Sequence, residues 1–348
     1  MINEDWFAEA KERRHVFLER EIGKGFSVQP MTSDMAPRYY HRITTEDKTF
    51  VLLESAPDGH SQALPGHEIG AFVKINRFLN TEGFRVPDIY AAQEEQGLLL
   101  LEDFGDLSFE KALESADQQE AGHYYFEATE LLSSLRQIGT NRLFELPVFL
   151  GSRIDMGVRR FADWFLPYYF DRSVSDEEIE GFEQMLLEMK SALPETKQGF
   201  VHGDFHPANL MILEDGEFGL LDFQAAMRGP CVYDLTNLLH DARRKVPNDI
   251  IQTCQEAYFL NEENNLSNWY NYLSLHFHLR VIGQFIKIAI TTEKTHYLGH
   301  LDRLARYLSQ NESLVFREYS EQLGIKWEAA LPNLDLQKVA KYIRPDAT

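Results

Sequence analysis

The 348-residue sequence predicts an α+β protein of two lobes, a small mainly β lobe followed by a larger helical lobe. Three observations lead to this fold class. Short strand-like runs enclose an amphipathic helix early in the chain, a leucine-rich strand then ends in an acidic segment with a glycine, and the composition beyond that segment favours helices. We therefore predict a first domain over residues 1–104 and a second domain over residues 105–348.

The first lobe is predicted to contain a leading helix and a small sheet interrupted by one helix. Apolar residues at helical spacing identify the helices, and short β-branched, aromatic or leucine-rich runs identify the strands. In chain order these are a helix at 4–20, strands at 39–43 and 49–54, a helix at 67–79, and strands at 86–89 and 97–101. The acidic run 102–106 breaks the last strand and predicts the connection between the lobes.

The second lobe is predicted to be helical except for one central segment. Two strands and a loop are expected within residues 200–223, and the tail from Leu331 is expected to be a loosely packed strap. The predicted helices cover residues 107–115, 118–138, 154–170, 175–192, 231–244, 248–260, 266–291 and 296–323.

Charge and cysteine content restrict the possible partners and location. Asp and Glu number 55 against 34 Lys and Arg, a net charge of -21 that argues against a nucleic-acid partner. The only cysteines, Cys231 and Cys254, are too few for a disulfide framework. The polar N-terminus does not resemble a signal peptide, and no apolar run reaches the roughly 20 residues of a membrane helix. We expect a soluble cytoplasmic protein without a membrane partner.

Acidic and amide side chains recur at fixed spacing in residues 201–223. Asp204 is followed by Asn209 five residues later and by Asp222 thirteen residues beyond that. A hydroxyl nucleophile needs an acceptor for its proton, which suits Asp204, and Mg²⁺ bound to ATP prefers oxygen ligands such as Asn209 and Asp222. The spacing is therefore typical of phosphoryl transfer with ATP and Mg²⁺ as cofactors.

Two other interpretations of this segment stay open. The spacing of His202 and His206 is one that zinc ligands use, although Gly203 and Pro207 oppose the helix that would bring both rings to one face. The hairpin could also have a purely structural role. We interpret His202 and His206 as residues that support the loop.

Motifs in several segments resemble those of a known family. Protein-kinase loops read H-R-D-x-x-x-x-N and precede D-F-G, and the counterparts here are H-G-D-x-x-x-x-N at 202–209 and D-F-Q at 222–224. This pattern resembles the aminoglycoside phosphotransferase-like branch of the protein-kinase fold. Three further segments are similar to bacterial anomeric kinases of N-acetylmuramate and N-acetylglucosamine: 98–105, 229–243 and 278–285.

The resemblance, which extends over about residues 5–325, implies a bilobal protein-kinase-like fold and a role for each motif. Asp204 would be the general base, and Asn209 and Asp222 would bind Mg²⁺. Asp234 would brace the second lobe through local hydrogen bonds. Adenine would be received by the backbone of three residues at the end of the last strand: Leu101, Glu102 and Asp103.

The sequence departs from the kinase pattern on the phosphate side and on the acceptor side. Glu54 stands where protein kinases carry a strand lysine, and residues 29–42 contain no glycine for a Gly-rich turn. Arg38 and Arg42 are the nearest cations in sequence and are our candidates for phosphate binding, with a solvated surface role as the alternative. The resembling kinases often carry other residues at four positions here: Gly157, Ala225, His276 and Phe277.

The resulting hypothesis is an ATP- and Mg²⁺-dependent kinase that phosphorylates the anomeric C1 hydroxyl of N-acetylmuramate or N-acetylglucosamine in cell-wall recycling. An aminoglycoside, choline, homoserine or another hydroxyl compound is the first alternative acceptor. A cationic acceptor would favour an acidic pocket, which four residues could supply: Glu127, Glu130, Asp155 and Asp163. A nucleotide-binding pseudokinase is the second alternative, supported by the missing lysine and opposed by the intact catalytic motif.

Overall fold

The computed structural model describes residues 10–31, 38–61, 63, 68–143, 146–149, 157–196, 198–260, 265–329, 331–332, 334–345 and 347. The chain divides into two compact units, residues 1–121 with 207–226, and residues 122–206 with 227–348. The division into lobes at residues 104/105 stays a prediction. Within the described ranges, every helix is too short or too polar to span a membrane.

Nine strands and twelve α-helices are found among the described residues. The strands are β1 (Ser27–Met31), β2 (Tyr39–Thr44), β3 (Thr49–Glu54), β4 (Ile89–Gln93), β5 (Leu98–Glu102), β6 (Gln198–Val201), β7 (Leu210–Ile212), β8 (Phe218–Leu220) and β9 (Met227–Pro230). The helices are α1 (Ala10–Ile22), α2 (Ile69–Thr81), α3 (Phe109–Ser115), α4 (Gln118–Leu135), α5 (Leu166–Phe170, continuing a π-helical turn at Phe161–Phe165), α6 (Asp176–Ser191), α7 (Tyr233–Leu239), α8 (Asn248–Phe259), α9 (Asn265–Thr292), α10 (Leu301–Ser309), α11 (Leu314–Leu323) and α12 (Leu336–Val339).

The first unit is built on an antiparallel sheet in the order β1-β2-β3-β5-β4. Strand β2 pairs with β3 so that His41 lies opposite Leu52 and Tyr40 lies opposite Leu53. Successive residues of a strand lie on opposite faces of the sheet, so His41 and Tyr40 are on different faces. Arg42 shares the face of Tyr40. The other face is apolar and packs against α1 through a cluster of Phe17, Leu18, Ile43, Phe50, Leu52, Leu98 and Leu100.

Glu54 lies on the sheet face that α1 covers, opposite to the face of Arg42. Its buried carboxylate is 2.7 Å from Arg14 and 3.5 Å from Arg13 of α1, and 3.4 Å from His41. A buried charge requires such partners because desolvation strongly disfavours it otherwise. Glu54 therefore ties α1 to the sheet.

The second unit contains the β6–β9 pair and most of the helices. Gly283 of the long helix α9 faces the backbone at Arg160, where an added Cβ would lie 2.2 Å from the carbonyl oxygen. Only glycine permits this approach, so α9 packs directly on the π-helical turn Phe161–Phe165. The surrounding core includes Phe182, Ile286 and other buried apolar side chains.

Two predictions about the C-terminal part are wrong. The single helix expected over 296–323 is interrupted, because Ser313 caps the start of α11 by accepting a hydrogen bond from the Phe316 amide at 3.2 Å. The tail is also packed in its described part, where Val339 of α12 is fully buried in the core of the second unit. The leading helix is seen from Ala10, and its predicted residues 4–9 lie outside the described chain.

Candidate active site

The loop at residues 202–206 follows β6 directly in the second unit. Pairing of β6 with β9 fixes the strand up to Val201, which is paired with Met227. His202 is fully buried, and its Nδ1 accepts a hydrogen bond from the Asp204 backbone amide at 3.3 Å. Gly203 has a φ of 87°, a left-handed conformation that glycine adopts without strain. The loop thus turns sharply at Gly203, and the hydrogen bond to the buried His202 ring stabilises this turn.

Asp234, near the start of α7, holds the same loop through its side chain. Its Oδ2 accepts a hydrogen bond from the His202 amide at 2.6 Å, and its Oδ1 accepts one from the Gly203 amide at 2.9 Å. Asn237, one turn later, donates to the Gly203 carbonyl at 3.4 Å. Burial raises the pKa of Asp234 to about 7, although the two backbone hydrogen bonds oppose the shift. One turn of helix therefore anchors both peptide groups that precede Asp204.

Asp204, the predicted base, keeps 46% of its side chain exposed. The His206 Nε2 lies 3.5 Å from its Oδ2. Burial of the carboxylate raises its pKa, but His206, Arg243 and Arg280 outweigh this and hold the pKa of Asp204 below its ordinary value. Asp204 is therefore ionised at neutral pH and able to accept a proton from a hydroxyl group.

Two arginines lie near Asp204 in the second unit, together with the carboxyl group of Asp234. Arg243, after α7, and Arg280, on α9, both interact electrostatically with its carboxylate. The Arg280 guanidinium lies beside the Tyr233 hydroxyl and over the Phe277 ring, 5.6 Å from its centroid. The sequence did not identify either arginine as a site residue, although Arg280 lies in the H-L-R segment that carries the family resemblance.

The structure describes three of the four acidic residues that were considered for binding a cationic acceptor. Glu127 and Glu130 are exposed on α4. Asp163 is buried in the π-helical turn, 3.4 Å from Arg159. Asp155 lies outside the described residues. The described residues therefore do not bring these carboxylates together with Asp204.

Asn209 and Asp222, the predicted Mg²⁺ ligands, lie at the base of one hairpin in the first unit. Strands β7 and β8 pair Leu210 with Leu220, and the Leu221 amide donates to the Asn209 carbonyl at 2.9 Å. The two predicted ligands are thus brought to the same end of the hairpin. An amide and a carboxylate are oxygen donors of the kind that Mg²⁺ prefers.

Asp222 adopts an unusual backbone conformation for a residue with a side chain. Its φ is 55° and its ψ is 36°, the left-handed region. Its Oδ1 accepts a hydrogen bond from the Gln224 amide group at 2.6 Å. Such strain outside glycine is found at functional sites more often than elsewhere. Gln224 replaces the glycine of the D-F-G motif and orients the carboxylate, a contact that the sequence motif did not predict.

Arg38 and Tyr40 lie near Asp222 in the first unit. Arg38 is only 2% exposed and forms a hydrogen bond with the Tyr40 hydroxyl. Burial raises the pKa of Tyr40, Arg38 lowers it and the charge of Asp222 raises it. The structure therefore brings the predicted phosphate cation Arg38 close to a predicted Mg²⁺ ligand.

Arg42, the second predicted phosphate cation, is bound to carboxylates at the end of β5. Its Nε lies 2.7 Å from Asp103, its Nη1 lies 2.6 Å from Asp106, and its Nη2 donates to the Gly105 carbonyl at 3.0 Å. Its positive charge is thus matched by two negative charges. Arg42 stabilises the turn after β5, and its predicted contact with phosphate stays a prediction.

The segment predicted to bind adenine, residues 101–103, is also held in place by side-chain contacts. Glu102 binds Arg85, whose Nη1 lies 2.7 Å from Oε2, and these hydrogen bonds hold the pKa of Glu102 below its usual value. Leu101 is paired within the sheet, and the Glu102 amide donates to the Asp88 carbonyl at 2.8 Å. The Asp103 carboxylate accepts from the Gly105 amide at 2.9 Å. Recognition of adenine by this backbone stays a prediction.

Comparison with known proteins assigns this chain to one family. A model of the phosphotransferase enzyme family matches residues 27–269. An N-acetylmuramate/N-acetylglucosamine kinase of Pseudomonas aeruginosa is 28% identical over 290 residues, which cover 80% of this chain and 82% of the relative. A protein of the same name from Neisseria meningitidis is 25% identical over 318 residues, covering 88% of this chain and 89% of the relative.

Solved structures share the fold at low sequence identity. Choline kinase LicA of Streptococcus pneumoniae superposes with a TM-score of 0.62 at 11% identity, covering 86% of this chain and 99% of that one. A ternary complex of aminoglycoside phosphotransferase APH(4)-Ia with ADP and hygromycin B gives a TM-score of 0.57 at 12% identity, covering 84% and 97%. The predicted fold class and the resemblance drawn from the motifs are confirmed.

Asp234 gives a prediction about pH and stability. Its pKa is raised to about 7 in the fold, whereas an unfolded aspartate titrates near 4, so its stabilising contribution is complete below pH 4 and is lost as pH rises to about 7. The unfolding free energy of the wild type, measured with urea, should fall relative to that of Asp234→Asn by about 2 kcal/mol between pH 5 and pH 7. Parallel pH curves for the two proteins would show that Asp234 is ionised throughout and that its two hydrogen bonds outweigh burial.

Proposed function

Since this chain belongs to the phosphotransferase enzyme family, we propose that it is an ATP- and Mg²⁺-dependent kinase that phosphorylates the anomeric hydroxyl of an N-acetylated amino sugar. The observation that carries the choice of acceptor is the presence of two arginines, Arg243 and Arg280, near Asp204. An aminoglycoside or choline is cationic and would be repelled there, whereas an N-acetylated sugar is neutral or, with a lactyl group, anionic. The names of the relatives from Pseudomonas aeruginosa and Neisseria meningitidis support the same acceptor class.

Asp204 is proposed as the general base. Its carboxylate is ionised at neutral pH and half-exposed, and the loop that carries it is fixed by Asp234 and His202. An anomeric hydroxyl is more acidic than an ordinary alcohol, so a carboxylate of low basicity suffices to take its proton. Because phosphoryl transfer requires little covalent work from the protein, positioning and charge neutralisation dominate the rate.

Asn209 and Asp222 are proposed to hold Mg²⁺ with the nucleotide phosphates. The two side chains fit this ion because they are oxygen donors at one end of a hairpin, and Gln224 fixes one oxygen of Asp222. Mg²⁺ bound there supplies charge neutralisation to the phosphates. Magnesium usually keeps several water ligands, so two protein ligands are sufficient.

Arg38 is proposed as the cation that binds the nucleotide phosphates. It lies near Asp222, is buried, and is part of the segment leading into β2. Arg42 is less suited because Asp103 and Asp106 already balance its charge. Arg38 would thus replace the strand lysine of protein kinases from the neighbouring strand.

The proposed function is tested by a panel of acceptors and by analysis of the product. N-acetylmuramate, N-acetylglucosamine, kanamycin, choline and homoserine are each incubated with ATP and Mg²⁺, and ADP release is measured. We expect turnover with the N-acetylated sugars, and a product that is acid-labile and no longer a reducing sugar, as a C1 phosphate must be. A product that keeps its reducing end would assign phosphorylation to another hydroxyl, and turnover of kanamycin or choline alone would reject the sugar.

Replacing the base should abolish catalysis without loss of nucleotide binding. Asp204→Asn keeps the size of the side chain but cannot accept the proton, and loss of a general base typically lowers kcat about 10²–10⁴-fold. Calorimetry should give an ADP affinity close to that of the wild type. A variant that retains more than about a tenth of the wild-type kcat would exclude Asp204 as the base.

Replacing the metal ligands should alter the dependence of activity on Mg²⁺. Asp222→Ala removes a full charge beside the cation and should raise the Mg²⁺ concentration for half-maximal rate more than Asn209→Ala does. Glu214→Ala removes an exposed carboxylate from the turn of the same hairpin and leaves both ligands in place, so it is the matched control and should have the smallest effect. The same Mg²⁺ dependence in all three variants and the wild type would limit Asn209 and Asp222 to a structural role.

The two candidate arginines should differ in their effect on ATP. Arg38→Lys keeps the charge but loses the planar fork, and we expect it to raise the KM for ATP by about tenfold with little change in melting temperature. Arg42→Lys should change that KM by less than about threefold, because its contacts are with Asp103 and Asp106. If Arg42→Lys raised the KM for ATP more than Arg38→Lys did, Arg42 would be the phosphate-binding residue instead.

A further inference from the structure

Arg280 lies near the proposed base, and the general-base step assigns it no contact with the acceptor. It is on α9, next to the Tyr233 hydroxyl and in electrostatic contact with Asp204. Its guanidinium lies over the Phe277 ring, 5.6 Å from the centroid, so one face of the group is covered by an aromatic ring. The planar arginine group presents several donors in a fixed arrangement that matches a carboxylate.

The stem of Arg280 is held in place by close packing. Gly157 lies against it, and a Cβ at that position would be only 3.2 Å from the Arg280 Cδ. The same Cβ would lie 3.1 Å from a nitrogen of Arg160. A side chain at residue 157 would therefore require the neighbouring arginine side chains to shift by a few tenths of an ångström, whereas glycine leaves room for both.

The hydrogen-bonding capacity of Arg280 is incompletely used within the described part of the chain. Its Nε is buried and has no acceptor among the described residues. No ion pair between Arg280 and a carboxylate is found within 4.0 Å among those residues. Arg243 differs, since its Nη1 lies 3.8 Å from Asp241 and its amide donates to the same carboxylate at 2.9 Å. A buried donor without an acceptor is costly, so an anionic ligand would be stabilised here.

We propose that Arg280 is a specificity-determining residue that binds a carboxylate of the acceptor, so that the enzyme prefers an N-acetylated amino sugar with an acidic substituent over the neutral sugar. This inference rests on the proposed function and deepens it. Asp204 and Arg280 lie near each other in the second unit, so a sugar whose hydroxyl faces Asp204 can place an acidic substituent at the arginine. Tyr233, whose pKa is raised to about 12 by burial, stays neutral and adds a hydroxyl donor beside Arg280.

An oxyanion at Arg280 has two possible sources, the acceptor carboxylate and the terminal phosphate of ATP. The two differ in the kinetic parameter that Arg280 controls. A contact with the acceptor changes the preference between two sugars and leaves the KM for ATP unchanged. A contact with phosphate raises the KM for ATP and affects both sugars equally.

The test compares two sugars that differ in the lactyl carboxylate, N-acetylmuramate and N-acetylglucosamine, with wild type, Arg280→Gln and Arg280→Lys. Arg306→Gln, an exposed arginine on α10, is the matched control. We expect the wild type to prefer N-acetylmuramate in kcat/KM. Arg280→Gln should reduce kcat/KM for N-acetylmuramate about 10- to 100-fold, the effect of one charged hydrogen bond, and that for N-acetylglucosamine less than about threefold. Arg280→Lys should restore part of the preference.

The outcomes separate this inference from the proposed function. Equal losses for the two sugars, or a raised KM for ATP with unchanged sugar preference, would overturn the assignment of Arg280 to the acceptor. If neither sugar is a substrate but another hydroxy acid is, and Arg280→Gln impairs its use selectively, the sugar assignment falls and the role of Arg280 stands. Efficient phosphorylation of a cationic acceptor by the wild type would overturn both.

Discussion

The loop that carries Asp204, the proposed base, depends on one buried carboxylate. Asp234 accepts hydrogen bonds from two successive backbone amides, those of His202 and Gly203, and thereby fixes the chain just before Asp204. A base must lie within hydrogen-bond reach of the proton it removes, and a loop free to move would lose this geometry. Because Asp234 begins a helix that packs on α9, the position of the loop is set by the core of the second unit and not by the loop itself.

Charge is distributed very differently over the molecule as a whole and around the base. The chain carries a net charge of -21, yet Asp204 is surrounded by His206, Arg243 and Arg280. Arginines of the first unit are paired with acids, Arg14 with Glu54, Arg85 with Glu102, and Arg42 with Asp103. Arg243 of the second unit likewise lies 3.8 Å from Asp241. Pairs of this kind organise helix α1 and the end of β5. Arg280, which has no carboxylate within 4.0 Å among the described residues, is therefore the arginine near Asp204 that is available to an anionic acceptor.

The shared fold does not identify the acceptor. A choline kinase and a hygromycin-binding phosphotransferase superpose on this chain at 11% and 12% identity, although their acceptors are chemically unlike each other. Function has to be argued from the charged and hydrogen-bonding groups of the site.

The sequence alone determined the family, the fold class and the catalytic motif. Asp204, Asn209 and Asp222 lie close together in the chain, so their spacing by itself leads to the proposed chemistry. Local periodicity predicts the order of four of the five strands of the sheet and of the helix between them, whereas β1 (Ser27–Met31) was not predicted. Tertiary structure decided what depends on register and on long-range packing. The face on which Glu54 lies depends on strand pairing, since a shift of one residue would turn it to the other side. The pairing of Arg42 with Asp103 and the approach of Arg280 to Asp204 join segments far apart in sequence, and no local pattern encodes such contacts.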